Sequence, residues 1–402
     1  MTASLYIHVP FCASICDYCD FYSISINEHN NAALMDGYVD AVLDDIEDQL
    51  NMFSVNEIPT IYIGGGTPSV LGAARMGRLL AGIQALLQPL RQAPGASVPF
   101  EFTIEANPES ADEAFLRACR DGGVNRISLG IQTFYEPSRR AVHRAGVTQL
   151  SHNCHTIVTQ FAIHGASPII FSADLIIGLP FQTREVLEND IATLLSCQPS
   201  HVSLYSLIVD PETPLGANVA RHGTAALALP CPDDADSLWI AGRDMLEAAG
   251  LVQYEVSNFA LPGKTCAHNV RYWRMENWIG AGPAASGTII NEEAGTGRRL
   301  TYPSDIDAYL AMPRPRIHAA HIEELSRDDL IRETLLMGFR YRAGPDTDSF
   351  KRRFGCRVED LIPKTIARWR ERGFFEADGL APSRQGLLFL NSFLRDAFTE
   401  LN

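Results

Sequence analysis

The sequence predicts an α/β fold. Six parallel strands with helices outside them curve toward a partial (β/α)6 TIM-like barrel, and a smaller, mainly helical domain of winged-helix character follows. Three observations carry this prediction. Strand-like apolar runs alternate with helix-periodic ones through about the first 225 of 402 residues, joined by short links. Glycine-rich and polar motifs recur where those strands end, the rim on which parallel α/β folds place their chemistry. Beyond about residue 225 the alternation stops. Residues 1–225 are therefore expected to form the barrel, 226–318 a linking region, and 319–402 the C-terminal domain.

The first strand, Leu5-Tyr6-Ile7-His8-Val9, runs into Cys12, Cys16 and Cys19 at CX3CX2C spacing. Three thiols within eight residues leave one over from any disulfide and so favour a metal. Tetrahedral zinc wants a fourth Cys or His, and none follows within easy reach. An iron–sulfur cube held by three thiolates keeps one iron open for another ligand. A zinc knuckle or chance clustering is the alternative on the thiols alone; the cluster is favoured.

Leu34, Tyr38, Val39, Val42, Leu43, Ile46 and Leu50 then keep helical spacing, with acidic residues opposite. Residues 60–63 form a second strand that stops at Gly64, and a helix follows over 71–87. The third strand, 100–104, ends at Glu105 and leads to a helix from near Ser110. The fourth, 126–131, ends at Gln132, with helices near 135–163 that carry Arg144. The fifth lies within 168–177, carries Asp174, and precedes a helix capped by Thr183. Residues 201–207 are the sixth strand. A helix near 233–249 leads to Tyr254-Glu255-Val256-Ser257-Asn258 and a glycine-rich segment from Gly280 to Gly287. In the last domain Ser326-Arg327-Asp328-Asp329 reads as a capping box, Gly338 as a helix stop, and Asp378-Gly379 as a small hairpin.

Composition narrows the function classes. Hydrophobic residues at 46% and charged ones at 20% suit an ordinary soluble protein. No apolar run is expected to reach the roughly 18 residues that span a bilayer, and the N-terminus has no signal-peptide order. Nine cysteines, mostly scattered, fit a reducing cytoplasm. A net charge of −15 argues against a nucleic-acid binder, and the C-terminal domain balances fourteen Lys and Arg against fourteen Asp and Glu. A peripheral membrane contact stays open, though it gains no support from charge.

Gly64-Gly65-Gly66-Thr67-Pro68 lets backbone approach a ligand closely. It lacks the Lys-Ser/Thr of a phosphate loop, and alone it is as readily a tight turn. Together with CX3CX2C and Tyr18 before the third Cys, it resembles the signature of the radical S-adenosylmethionine (SAM) superfamily. That resemblance implies a 4Fe-4S cluster on Cys12, Cys16 and Cys19. The amino and carboxylate groups of SAM would chelate the open iron, and one electron would cleave SAM to methionine and a 5′-deoxyadenosyl radical. It also implies that Gly65, Gly66 and Thr67 receive the methionine amino group and that Arg144 pairs with the carboxylate. Glu105, Gln132 and Asp174 would complete the site from the strand ends, with Tyr6 and Tyr18 against SAM.

YIHVPFC, CDF, GGGTP, EANP, GVNRISLGIQTF, DLIIGLP and the Tyr254 to Asn258 run resemble, in order and over nearly the whole chain, the oxygen-independent coproporphyrinogen III oxidase group. Two departures count against decarboxylation of coproporphyrinogen: Phe21 stands where the oxidase has a further Cys, and Cys12 lies almost at the start, where the oxidase has an extension. His268-Asn269-Val270-Arg271-Tyr272-Trp273 is similar to the HNXXYW element of the haem chaperones of this group, the HemW type. It implies haem as cargo, with His268 as iron ligand, Tyr272 and Trp273 against the macrocycle, and Cys266 as a lower-ranked ligand. The implied partners are acceptor haemoproteins and an electron donor, and a homodimer stays open. The alternative is the oxygen-independent coproporphyrinogen III oxidase itself or a related radical SAM enzyme that modifies a tetrapyrrole.

Overall fold

Residues 1–26, 32–91, 100–144, 150, 153–154, 156–157 and 169–401 are described in a computed structural model. The first-half elements are β1 (Ser4–Val9), α1 (Ala32–Met52), β2 (Thr60–Gly65), α2 (Gly72–Arg91), β3 (Glu101–Ala106), α3 (Glu113–Asp121), β4 (Arg126–Gln132), α4 (Glu136–Ala141), β5 (Ile170–Ile177), α5 (Arg184–Ser196) and β6 (His201–Ser206). The six strands are parallel and neighbour one another in chain order. Much of the stretch expected to be helical near 135–163 lies outside the described residues.

Strand alternation divides the chemistry. Leu5, Ile7 and Val9 of β1, Ile61 and Ile63 of β2, and Phe102 and Ile104 of β3 are buried against Tyr38, Val42 and Ile46 of α1 and Met76, Leu79 and Ile83 of α2. Each such side chain contributes roughly 1.5–3 kcal/mol. The alternate residues, among them Tyr6, His8, Tyr62, Glu105, Asp174 and Tyr205, are carried on the opposite, inner face. Local signals hold at several ends: Thr183 Oγ1 accepts from Val186 N–H at 3.3 Å, and Ser326 and Asp329 cap each other reciprocally.

After α6 (Pro214–His222) come α7 (Pro232–Ala248), β7 (Val252–Gln253), β8 (Asn258–Ala260), α8 (Ala267–Trp273), β9 (Trp278–Ala281), β10 (Ser286–Asn291), β11 (Thr296–Thr301), α9 (Ile306–Ala311) and β12 (His321–Leu325). The twelve strands of one sheet run β12-β11-β10-β9-β1-β2-β3-β4-β5-β6-β8-β7. β9 lies parallel to β1, while β8 joins β6 antiparallel. Residues 226–318 therefore do not merely link two domains. Leu238, Leu246, Phe259, Ile279, Tyr302 and Tyr309 share the barrel's own core. Gly280 permits the return of β10, because a Cβ there would collide with Ser286 O.

A second core gathers α10 (Arg327–Gly338), α11 (Thr347–Phe354), α12 (Val358–Leu361), α13 (Pro363–Glu371) and α14 (Leu390–Leu401) around Leu335, Phe339, Phe350, Trp369 and Phe393. Two local expectations differ. Gly338 is the last helical residue and serves close packing, since a Cβ there would lie 2.6 Å from Pro345 Cβ. At 378–379 the pairing is a single bridge, Phe375 with Pro382, and proline has no N–H with which to extend a ladder.

One helical span, Pro68–Leu90, is long and apolar enough to cross a membrane by length and composition, contrary to expectation. Met76, Leu79, Leu80 and Ile83 of that span enter the core, and Arg75 and Arg78 pair with Asp36.

Candidate cofactor site at the strand ends

The C-terminal ends of the parallel strands enclose a cavity of about 360 Å³. Its near wall is the loop after β1, folded on itself where Phe11 and Cys12 pair with Ile24 and Ser25. Cys12, Cys16 and Cys19 all line this cavity; the first two are buried and the third half-buried, and none is in a disulfide. Cys12 Sγ lies 3.5 Å from Thr67 Oγ1, and Cys16 Sγ lies 3.7 Å from Arg144 Nη1. Burial raises Cys12 and pushes Cys19 up to about 11. Thiolate ligation at this loop therefore releases protons as a metal group binds.

The glycine loop after β2 is tied to the cysteine loop. Gly66 N–H donates to Val9 O at 2.8 Å and Thr67 N–H to Phe11 O at 2.7 Å. Side chains are excluded by the close passage. A Cβ at Gly66 would lie 2.8 Å from Phe11 O and 3.0 Å from Cys12 Sγ, and Gly65, at φ +107°, would meet the His8 ring at 2.7 Å.

Around the rim the polar groups converge. Glu105 accepts from Tyr62 OH at 2.6 Å and from Gly65 N–H at 3.2 Å, and burial pushes its carboxyl up to about 7. Asp174 accepts from Ser128 Oγ at 3.2 Å, and burial pushes it up to about 6. Gln132 has φ +69° and follows a register shift at Gly130; its buried Oε1 has no partner among the described residues. Arg144 sits in the turn beyond α4 and not on a helix as expected, because α4 ends at Ala141 and His143 takes φ +51°. Its Nη2 donates to Asn107 Oδ1 at 2.8 Å and to Gly130 O. Tyr18 lines the same cavity and packs with Val142, Ile176 and Leu179.

These residues fit a ligand carrying both an ammonium and a carboxylate. Two half-buried carboxyls with raised pKa await a cation, while Arg144 keeps its Nε unpartnered among the described residues. The orphaned Gln132 oxygen calls for a donor.

Two expected contacts are placed elsewhere. Tyr6 lines not this cavity but a second one of about 600 Å³, with His8, Tyr22, Tyr272 and Trp278, and its hydroxyl lies 3.0 Å from His8 Nδ1. His268 lies at the opposite end of the barrel, where α8 closes the N-terminal ends of the strands. Its Nδ1 is 2.9 Å from Thr60 Oγ1 and its Nε2 is 3.1 Å from Tyr272 OH. The residue is 1% exposed, and burial pushes its pKa down to about 3. With both ring nitrogens engaged, an iron at His268 has to displace Thr60 or Tyr272 from its hydrogen bond. The first N–H groups of α8 are held by Glu101, which accepts from Ala267 at 3.0 Å and His268 at 2.9 Å. Cys266 is buried with its Sγ 3.4 Å from Glu101 Oε1. Trp273 is half-buried, its Nε1 unpartnered among the described residues.

Sequence reasoning passed over Asn107, Tyr62 and Tyr205. Asn107 joins Thr67 Oγ1, at 3.2 Å, to Arg144. All three stand on or just past strands already singled out, and position on the inner face was the signal available.

Comparison with known proteins agrees with this geometry. A family model described as the radical SAM superfamily matches residues 6–194, and one described as the HemN C-terminal domain matches 325–389. The "Heme chaperone HemW" of Lactococcus lactis is 35% identical, with 90% of this chain and 88% of that protein covered. The protein of the same name from Escherichia coli is 34% identical, with 97% of each covered. Among solved structures, the coproporphyrinogen III oxidase HemN of Escherichia coli superposes with a TM-score of 0.79 at 21% identity, covering 98% of this chain and 90% of that one. This last likeness shows the fold.

Proposed function

The chain belongs to the radical SAM superfamily and, within it, to the heme chaperone HemW family, and from that membership we propose that it binds haem and hands it to acceptor haemoproteins. Cys12, Cys16 and Cys19 hold a 4Fe-4S cluster, and SAM lies across the strand ends. Glu105 and the Gly65-Gly66-Thr67 backbone take the ammonium, Arg144 takes the carboxylate, and Gln132 and Asp174 orient the remainder. When bound, the cluster and SAM supply one-electron chemistry at this rim. The protein's own part is to place ionisable groups whose charge the ligand restores: Glu105 holds its proton near pH 7 until a cation displaces it. Action in the cytoplasm is supported by nine cysteines, none in a disulfide, and an electron donor protein completes the proposed partners.

The observation that carries this reading is similarity to heme chaperones over at least nine-tenths of the chain. Phe21, in place of the oxidase's further cysteine, supports it over tetrapyrrole decarboxylation. The test is anaerobic reconstitution, haem titration, and mixing of the haem-loaded chain with an apo-haemoprotein. Haem should move to the acceptor, and coproporphyrinogen III incubated with reductant and SAM should be recovered unchanged. Release of carbon dioxide from coproporphyrinogen would overturn the reading.

A further inference from the structure

Large exposed apolar side chains collect at one mouth of the barrel. Ile15 is 42% exposed, Phe21 63%, Tyr205 42% and Ile208 77%, and all four line the cavity that holds the three cysteines. Single exposed apolar residues are ordinary; four around one opening mark a surface that something apolar covers. Phe21 and Asp20 also line the second cavity, so the two hollows meet at this ridge. The walls beyond the ridge are aromatic: Tyr6, Tyr22, Tyr272 and Trp278. A ligand that spans both hollows across a protruding ring is broad, flat and rich in π surface. Asp20 and Asp210, also lining the mouth, turn carboxylates on such a ligand outward to solvent. Tyr272 of that wall also hydrogen-bonds His268, which lies behind it and does not line either hollow.

We propose that haem docks across this rim, its face on Phe21 and Ile208 and one edge in the second cavity, directly over the cofactor site, with Tyr272 standing between that edge and His268. The proposal rests on the haem-chaperone reading above and names the place of its cargo. Docking there puts haem beside the cluster and SAM, so that their occupancy can govern its release, while α8 supports the floor.

The test uses the full chain, reconstituted anaerobically, and titrates haem by absorbance into the parent, Phe21→Asp, Ile208→Asp and His268→Ala proteins. Each rim substitution should weaken haem binding about tenfold or more, a loss of about 1.4 kcal/mol, and His268→Ala should weaken it less. A second readout is independent of affinity: haem on the rim should speed the magnetic relaxation of the reduced cluster in the parent protein. Rim variants that bind like the parent, with His268→Ala losing haem, would overturn the rim site and leave the chaperone reading standing. A parent protein that binds no haem would sink the chaperone reading, and the rim site with it.

Discussion

At the residue scale the site depends on atoms that are absent as much as on those present. Gly66 passes so close to Cys12 Sγ and Phe11 O, at 3.0 and 2.8 Å from an added Cβ, that Gly66→Ala must displace the cysteine loop. The expected outcome is loss of most of the iron and acid-labile sulfide, with the fold retained by circular dichroism. Glu105 supplies a pH test. Its carboxyl, pushed up to about 7 by burial, is ionised above that pH and can pair with the ammonium of SAM; below it, the ligand must first displace a proton. SAM affinity should therefore fall as pH drops through 7, approaching about tenfold per unit for one proton. Glu105→Gln should bind weakly and flatten that part of the profile. An equally steep profile in the Gln variant would remove Glu105 from the role. Cysteine spacing, the glycine loop and the strand-end Glu105 were legible because each is a local pattern with a local cause. Tyr6 stands on the inner face as read, yet beside His8 in the second cavity, because a strand residue's face is readable but its height along the barrel depends on where the strand ends.

At the scale of elements, the strands were read to within a few residues because an apolar run between turn signals has little alternative. The seven-residue α8 was read by its motif alone, since so short a helix has no period to betray which side is buried. Its ring contacts now assign it a supporting task. The His268 ring packs against Tyr62, tilted at 33° with 5.2 Å between centroids, and Tyr62 in turn donates to Glu105. Replacing His268 with Ala removes two buried hydrogen bonds and a ring from the floor. The expected loss is about 2–4 kcal/mol in denaturant unfolding, larger than for the exposed His143→Ala. A His268→Ala protein as stable as the parent would show that α8 is not the seat described here.

At the scale of the whole molecule, alternation of strand and helix foretold the barrel, and the end of that alternation foretold a second core. The antiparallel extension of the sheet was not legible. β9 lies beside β1 although 274 positions separate Ser4 from its partner Trp278, and pairing at such distance leaves no mark in a local window. What the assembly achieves is one rim that unites the cysteine loop, the glycine loop, the strand residues Glu105, Gln132 and Asp174, and Arg144 from the turn beyond α4. Electron paramagnetic resonance of the anaerobically reconstituted, reduced chain, recorded with and without SAM, tests that union most directly. A cubane signal that shifts on adding SAM, and no longer shifts when Arg144 is replaced by Ala, is the result expected. A protein that takes up zinc in place of iron, or a cluster signal indifferent to SAM, would contradict it.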